Sequence, residues 1–165
     1  FHRLDFVDNA QAAAEVARET PINKVPYLID GDKKVFDSRV IINYLISKHK
    51  LPALTLEEEN TVSSIYSCLD SGVIWFLMRK DGFNMEDQGF FLSRMRQRIP
   101  ENLKYLTPWA TKLDPAKDWN YPAMALFSFL YWANARELMK LSDYPEMAKF
   151  LERFQNAPGL QDTVL

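Results

Sequence analysis

The sequence predicts an α/β unit followed by an all-helical unit. Up to about residue 49, short apolar runs alternate with helical stretches in the order β-α-β-β-α, and from residue 56 onward apolar residues recur at helical spacing. The chain has 165 residues, of which 47% are hydrophobic and 25% charged, so it is long enough to bury a core and typical of globular proteins. We therefore predict units at 1–49 and 58–165, joined by a linker at 50–57.

The first part of the α/β unit is predicted from an alternating run and a capping residue. Residues 1–7 alternate between apolar and polar side chains, which favours a strand. Asp8 and Asn9 are good N-cap residues for the Ala-rich run at 10–18, which has high helix propensity. Thr20 precedes a proline, so we expect this helix to end there.

The second part is predicted to be a hairpin and a helix. Two short strands, at residues 25–29 and 34–36, flank the sequence Asp30-Gly31-Asp32, which is a turn signal. Ser38 then opens a helix whose apolar residues follow helical spacing.

Four helices are predicted in the second unit, at about residues 56–79, 85–113, 123–139 and 145–154. The first carries one apolar stripe made of Val62, Ile65, Tyr66, Leu69, Val73, Phe76 and Leu77. We expect Pro100 to kink or split the second helix, because proline lacks the N–H that a helix needs. The third is apolar on nearly all sides, which predicts that it is the buried centre of this unit.

Charge and composition exclude several classes of function. A net charge of −2 gives no electrostatic footprint for nucleic acid or an anionic membrane. The longest apolar run, 72–78, is far short of the roughly 20 residues that span a bilayer. Cys68 has no adjacent His or Lys and is predicted to be inert packing, and His2 and His49 are too isolated to suggest a metal site. We predict no metal, nucleic-acid or membrane partner.

A candidate binding site lies around the hairpin. Val25-Pro26 stands at the start of a predicted strand, and Asp37-Ser38 follows twelve residues later at a helix N-terminus, which suits a bound carboxylate. The Ser38 hydroxyl adds a donor and Asp37 can pair with an ammonium group, so the pair is complementary to an amino-acid head group. The alternative is that Ser38 only caps the helix and Asp37 only favours its dipole.

These residues resemble a known family. Residues 23–31, Asn-Lys-Val-Pro-Tyr-Leu-Ile-Asp-Gly, and the stretch 35–45 that contains Asp37-Ser38 look like the glutathione-binding half of the glutathione S-transferase superfamily. Residues 69–72 and 150–154 add weaker similarity. The resemblance implies a thioredoxin-like domain, here lacking its first β-α unit, followed by an all-helical bundle. It also implies that an activating Tyr, Ser or Cys lies in a segment before Phe1.

The resemblance implies roles for Lys24, Val25 and Pro26 in binding glutathione. Pro26 is expected to follow a cis peptide bond, and the backbone of Val25 is expected to pair with the cysteinyl part of glutathione. Lys24 either neutralises the glycyl carboxylate or is simply solvated.

Three acidic or hydroxyl side chains complete the implied set. Ser38 would hold the γ-glutamyl carboxylate and Asp37 the γ-glutamyl ammonium, although Asp37 is a methylene shorter than the Glu or Gln often found there. Asp70 would contact glutathione in a partner subunit, or else makes a structural cap or hydrogen bond. Asn120 is expected to cap the central helix, where the family usually has a Ser/Thr-x-x-Asp capping box.

The implied function is conjugation of the glutathione thiolate to small hydrophobic electrophiles. Glutathione would be a co-substrate, with no tightly bound cofactor, in a cytoplasmic homodimer. The alternatives are a glutathione-dependent disulfide reductase or peroxidase, and a non-catalytic scaffold for protein–protein contact. An apolar acceptor pocket, or else core or dimer packing, is expected from Trp75, Phe76, Met78, Met85, Phe90, Phe91 and Met95.

Overall fold

The computed structural model describes residues 9–86 and 89–161. The chain divides into two compact units, Phe1–Leu54 and Thr55–Leu165. The strand predicted at residues 1–7 lies outside the described residues.

Helix α1, Ala10–Glu19, begins and ends where the sequence predicts. The Asn9 side chain accepts hydrogen bonds from the N–H groups of Gln11 and Ala12, at 3.0 and 3.1 Å, and Thr20 is the C-cap. Ala12 and Val16 form its buried face. A polar cap and an alanine-rich interior are sufficient to define this helix.

Two antiparallel strands form the hairpin. Strand β1, Tyr27–Asp30, pairs with β2, Lys33–Phe36, in a register that runs from Tyr27 opposite Phe36 to Asp30 opposite Lys33. Gly31 has a φ of 59°, which a tight two-residue turn requires. The prediction that β1 starts at residue 25 is wrong by two residues, because Pro26 has no N–H to donate to a ladder.

Helix α2, Ser38–His49, is tied to the turn end of the hairpin. The Tyr44 hydroxyl donates a 2.5 Å hydrogen bond to the Asp30 carboxylate, and the Lys48 ammonium pairs with the same oxygen. On the other side, Tyr27 donates to Glu15 of α1 at 3.0 Å. These contacts attach α1 and α2 to the two-stranded sheet, in which no residue is fully buried.

Helix α3, Leu56–Lys80, starts the second unit with a capping box. The Thr55 hydroxyl accepts from the Glu58 N–H at 3.2 Å, and the Glu58 carboxylate accepts from the Thr55 N–H at 2.8 Å. The helix therefore begins inside the predicted linker 50–57, and the predicted domain start at residue 58 lies within it.

The buried face of α3 differs from the predicted stripe. Val62, Ile65, Cys68 and Gly72 are buried, whereas Val73 and Leu77 are 37% and 41% exposed. The error arises because small residues form part of the packed face, and a stripe drawn through large apolar residues misses them.

Helix α4, Phe90–Ala110, is shorter than the predicted 85–113 and is not split. Pro100 and Pro108 both lie inside it and both are exposed, so their rings interrupt the helix on the solvent side, where the disturbance is tolerated. Leu92, Met95, Leu103 and Leu106 form its buried face.

Helices α5, Tyr121–Ala135, and α6, Pro145–Phe154, complete the bundle. Asn120 caps α5 by accepting from the Ala123 N–H at 3.2 Å, as predicted, and α6 has the predicted bounds. The core of the unit is built from α3 to α6 and includes Ile65, Leu103, Leu126, Phe129, Leu130, Met147, Phe150 and Phe154. Helix α5 places five residues in the core cluster, which agrees with its predicted role as the buried centre, although Met124 and Tyr131 are 38% and 41% exposed. It begins and ends earlier than the predicted 123–139.

Among the described helices, α3 is long and apolar enough, by length and composition alone, to cross a membrane. Core helices of globular proteins meet the same criterion. Since α3 buries Ile65 and Cys68 in the core cluster with α4, α5 and α6, we describe it as a core helix of the second unit.

Candidate functional site

The hairpin brings the two halves of the candidate site to one end. Tyr27 and Phe36 are the last paired residues at the open end of the β1–β2 ladder. Val25-Pro26 directly precedes Tyr27, and Asp37-Ser38 directly follows Phe36. Because directly paired residues of antiparallel strands lie about 5 Å apart, both dipeptides leave the sheet side by side. The twelve-residue spacing in the sequence therefore corresponds to this ten-residue hairpin, Tyr27 to Phe36, together with the residues that flank it.

Val25 presents its backbone at that end. The Val25–Pro26 peptide bond is cis, which confirms the prediction for Pro26. Val25 lies outside the ladder register and is 41% exposed, so β2 does not use its N–H and C=O groups. Lys24, the preceding residue, is exposed.

Asp37, not Ser38, caps helix α2. Its carboxylate oxygen Oδ1 accepts from the Arg39 N–H at 2.9 Å, and its backbone C=O accepts from the Ile41 N–H at 2.9 Å. The alternative in which Ser38 is the cap is therefore wrong. The cap occupies one carboxylate oxygen, and the carboxylate as a whole stays exposed.

The backbone at Asp37 is unusual for a residue with a side chain. Its φ is 74° and its ψ is 132°. Such a conformation costs about 1–3 kcal/mol and persists only where neighbouring contacts impose it. It turns the chain sharply from β2 into α2, so that the first turn of α2 lies at the open end of the hairpin.

Ser38 is the first residue of α2 and is half-buried. No described residue hydrogen-bonds its hydroxyl. The N–H groups of the first helical turn have no acceptor within the helix, and the positive end of the helix dipole lies there. The Ser38 hydroxyl and the first-turn N–H groups other than that of Arg39, which donates to Asp37, are thus donors available to an anion.

Asp70 lies in the second unit, on the exposed side of α3. Within the described part of the chain its carboxylate makes no hydrogen bond, and it is in mid-helix. The alternative that Asp70 is a structural cap or hydrogen-bonding group is therefore wrong. Its contact with a partner's glutathione stays a prediction.

Cys68 is buried, and burial raises the pKa of its thiol to about 12. The thiolate is the nucleophilic form, so Cys68 is an inert thiol at neutral pH. This confirms the prediction of a packing role. Among residues 9–86 and 89–161, no three His, Cys, Asp or Glu side chains lie close enough to hold a metal ion.

The predicted acceptor-pocket residues are only partly brought together. Trp75 and Met95 line one cavity in the second unit. Phe90 and Phe91, at the start of α4, are instead 79% and 52% exposed.

One polar cluster was missed by sequence reasoning. The Lys48 ammonium, chiefly, and the Tyr44 hydroxyl hold the pKa of the Asp30 carboxyl below its usual value, and Asp30 in turn raises the pKa values of both. An open depression of about 410 Å³ beside them is also lined by Lys33. Since Asp30 and Lys33 are the pair nearest the turn, this cluster lies at the opposite end of the hairpin from Val25 and Ser38. The four-residue spacing of Tyr44 and Lys48 on α2 was the available signal.

Comparison with known proteins agrees with this geometry. Residues 1–47 match the family described as "Glutathione S-transferase, N-terminal domain". Glutathione S-transferase F10 of Arabidopsis thaliana is 34% identical over 64 residues, a match that covers 36% of this chain and 30% of that protein's length. Glutathione S-transferase Z2 of the same plant is 23% identical over 171 residues, covering 98% of this chain and 77% of that protein.

Solved structures share the whole fold. A glutathione transferase family member from Pseudomonas fluorescens Pf-5, with bound glutathione, superposes with a TM-score of 0.78 at 20% identity, covering 98% of this chain and 82% of that one. A glutathione S-transferase from Methylobacterium radiotolerans, in complex with glutathione sulfonate, gives a TM-score of 0.73 at 19% identity over 90% of this chain and 76% of that one. The architecture is thus a thioredoxin-like domain followed by an all-helical domain. Residues 1–47 are thus similar in sequence to the N-terminal domain of glutathione S-transferases, and the chain shares the fold of solved glutathione transferases.

Proposed function

We propose that this protein binds glutathione at the open end of the hairpin and conjugates its thiolate to small hydrophobic electrophiles. The register of β1 and β2 supports the proposal, because Val25-Pro26 precedes Tyr27 and Asp37-Ser38 follows Phe36, the residue paired with Tyr27. A tripeptide with a free α-amino acid head group and a backbone of its own fits this combination of groups.

The carboxylate end of the γ-glutamyl group is held by α2. The Ser38 hydroxyl and the first-turn N–H groups donate to it, and the helix dipole favours its negative charge. A charge-assisted hydrogen bond of this kind contributes about 1.5–3 kcal/mol.

The rest of the tripeptide extends along the hairpin end. The Asp37 carboxylate pairs with the γ-glutamyl ammonium through an oxygen that the cap does not occupy. The Val25 N–H and C=O pair with the cysteinyl backbone as a short strand addition. Lys24 directly precedes Val25 and is exposed. In this arrangement it lies at the end of the site where the glycyl carboxylate reaches solvent.

The chemical step joins sulfur to carbon. The cysteinyl thiol of glutathione loses its proton to solvent, and the thiolate attacks the electrophilic carbon. In a substitution the leaving group departs with its electron pair. In an addition to a conjugated alkene no group leaves, and the product takes up a proton. In this scheme the described residues bind and orient the thiol, and its activation is assigned to none of them.

We also propose a homodimer formed through the exposed face of α3. Asp70, Val73 and Leu77 follow one another at helical spacing on that face, and all three are exposed. Val73 and Leu77 suit the apolar centre of a subunit interface, and Asp70 suits its polar edge, from which it would reach glutathione bound to the partner. Analytical ultracentrifugation should give a dimer, with Leu77→Glu shifting it to monomer; a wild-type monomer overturns this proposal.

Calorimetry on matched serine variants tests the binding proposal. Ser38→Ala should weaken glutathione binding about tenfold, whereas Ser47→Ala, the same change near the other end of α2, should leave it unchanged. Equal affinities for the two variants, or no binding of glutathione at millimolar concentration to the wild type, contradict the proposal.

Turnover distinguishes the three candidate activities. The proposal expects a glutathione conjugate from an aryl halide. Reduction of a mixed disulfide without conjugation supports the reductase, and binding without either reaction supports the non-catalytic scaffold.

A further inference from the structure

The loop that carries Val25 is exposed along its whole length. It joins α1 to β1, and each residue from Pro21 to Pro26 is exposed. Burial therefore does not fix the shape of this loop, and the shape must come from the loop's own backbone. This matters for the proposed site, because a backbone that pairs with a ligand binds more tightly when it is already held in the bound conformation.

Thr20 anchors the loop at its start. This residue is 1% exposed, and its hydroxyl accepts a 3.3 Å hydrogen bond from the Ile22 N–H. Its carbonyl accepts from the Asn23 N–H at 3.2 Å, which closes a four-residue turn with a proline in the second position. The two hydrogen bonds thus fix the loop as far as Asn23.

Asn23 directs the chain from this turn toward Val25. Its φ is 51°, in the left-handed region, where asparagine and glycine are favoured and β-branched residues are strongly disfavoured. Its side chain is exposed and makes no hydrogen bond with a described residue. What Asn23 contributes to the loop is therefore the conformation of its backbone. Beyond it, no hydrogen bond among the described residues involves the N–H or C=O of Val25, so both groups are available to a ligand.

The two sides of the candidate site share this feature. In the described part of the chain, Asn23 and Asp37 are two of the four non-glycine residues with a positive φ. Asn23 lies two residues before Val25, and Asp37 lies directly before Ser38. The other two lie at helix C-termini, where a positive φ is common. On each side, a residue with a positive φ redirects the chain just before the groups that face the ligand.

We propose that Asn23 is a positioning residue for glutathione. Its left-handed backbone holds the following segment so that the Val25 N–H and C=O pair with the cysteinyl backbone of the ligand. This inference rests on the proposed function. Asn23 acts through Val25 and does not itself touch glutathione, so glycine can replace it and a β-branched residue cannot.

Calorimetric titration of the whole protein with glutathione tests this role with a matched pair of variants. Asn23→Val should weaken binding about tenfold, because valine populates the left-handed region far less and the apparent dissociation constant rises in proportion. Lys50→Val introduces the same residue at a nearly identical φ of 53°, at the end of α2 remote from Ser38. It should reduce stability to a similar extent and leave glutathione binding unchanged.

Asn23→Gly separates the backbone conformation from the side chain. Glycine keeps the left-handed backbone and removes every side-chain atom, so this variant should bind glutathione within about twofold of the wild type. Urea denaturation of all three variants measures their stability, which distinguishes a general loss of stability from a loss of positioning.

The outcomes distinguish this inference from the proposed function. Unchanged binding in Asn23→Val, or equal weakening in Asn23→Val and Lys50→Val, overturns the positioning role while glutathione binding by the wild type stands. Binding that is tenfold weaker in Asn23→Gly shows that the side chain itself is needed, and it also overturns the role. Failure of the wild type to bind glutathione overturns the proposed function and this inference with it.

Discussion

Gly72 of α3 lies directly against the ring of Trp132 of α5. A methyl group at Gly72 would be 3.0 Å from Trp132 Cζ3 and 3.6 Å from Leu138 Cδ1. Trp132 is itself packed edge-on against Phe76, with ring centroids 6.4 Å apart, so its ring has little room to move. The close approach of α3 and α5 therefore depends on the missing side chain.

Gly72→Ala should destabilise the protein by about 1 kcal/mol. Overpacking costs about 1–3 kcal/mol, and the better helix propensity of alanine offsets up to about 1 kcal/mol. Urea denaturation measures the change. In a Trp132→Leu background the same substitution should be neutral or stabilising, and an equal loss in both backgrounds would show that the ring is not the cause.

Arg153 of α6 caps the C-terminal end of α4. Its guanidinium donates to the carbonyls of Ala110 and Leu113, each at 2.7 Å, and of Thr111 at 3.3 Å. Arg153→Ala leaves these carbonyls without that donor and should lower the free energy of unfolding by about 1–2 kcal/mol. Lys149→Ala, which removes an exposed ion pair with Glu146, should cost less than about 0.5 kcal/mol by the same measurement. Equal effects would contradict a capping role for Arg153.

The Asp30 cluster predicts a stability change in acid. Lys48, chiefly, and Tyr44 lower the pKa of Asp30 below its usual 3.8. A carboxyl group whose pKa is lower in the folded state contributes stability above its unfolded pKa, and this is lost as the pH falls through the folded value. Asp30→Asn should therefore reduce stability at neutral pH and flatten its decline below about pH 4. Asp32→Asn is the control, because Asp32 lies in the same turn but pairs with neither Lys48 nor Tyr44. Denaturation measured from pH 2 to 7 compares the stability of the two variants.

Cys68 should be unreactive in the folded protein. Its burial and a pKa near 12 leave almost no thiolate at pH 7. Labelling with a chromogenic disulfide should be at least about a hundredfold slower in the native state than in urea. Rapid native labelling would contradict both the burial and the packing role.

Asp37→Asn separates the charge of this residue from its capping role. Asparagine caps helices as well as aspartate does and also tolerates a positive φ, so stability should change by less than about 0.5 kcal/mol. Loss of the charge should weaken glutathione binding about three- to tenfold. Unchanged affinity in calorimetry would remove Asp37 from the binding site and leave it as a cap.

Local signals in the sequence predicted much of the first unit and where α1 and α6 begin, although α4 and α5 end earlier than predicted. Asn9, Asn120 and Pro145 each define where a helix begins, because capping and first-turn residues act within a few positions of one another. Val25-Pro26 and Asp37-Ser38 were predicted to act together, and in the structure both flank the open end of the hairpin, where Tyr27 pairs with Phe36.

Features that depend on the tertiary structure were not predicted. The positive φ of Asp37 is not visible in the sequence, and the alternative in which Ser38 caps α2 was wrong. The contact of Gly72 with Trp132 joins residues sixty positions apart, and the predicted stripe ran instead through Val73 and Leu77, which are exposed.

The central claim is that the open end of the hairpin recognises the γ-glutamyl head group of glutathione. Calorimetric titration of the wild-type protein with glutathione and with cysteinylglycine, which lacks that group, tests it most directly. We predict that glutathione binds and that cysteinylglycine binds at least about a hundredfold more weakly, since both the carboxylate and the ammonium contacts are lost. Equal affinity for the two peptides, or no binding of glutathione, would contradict the claim.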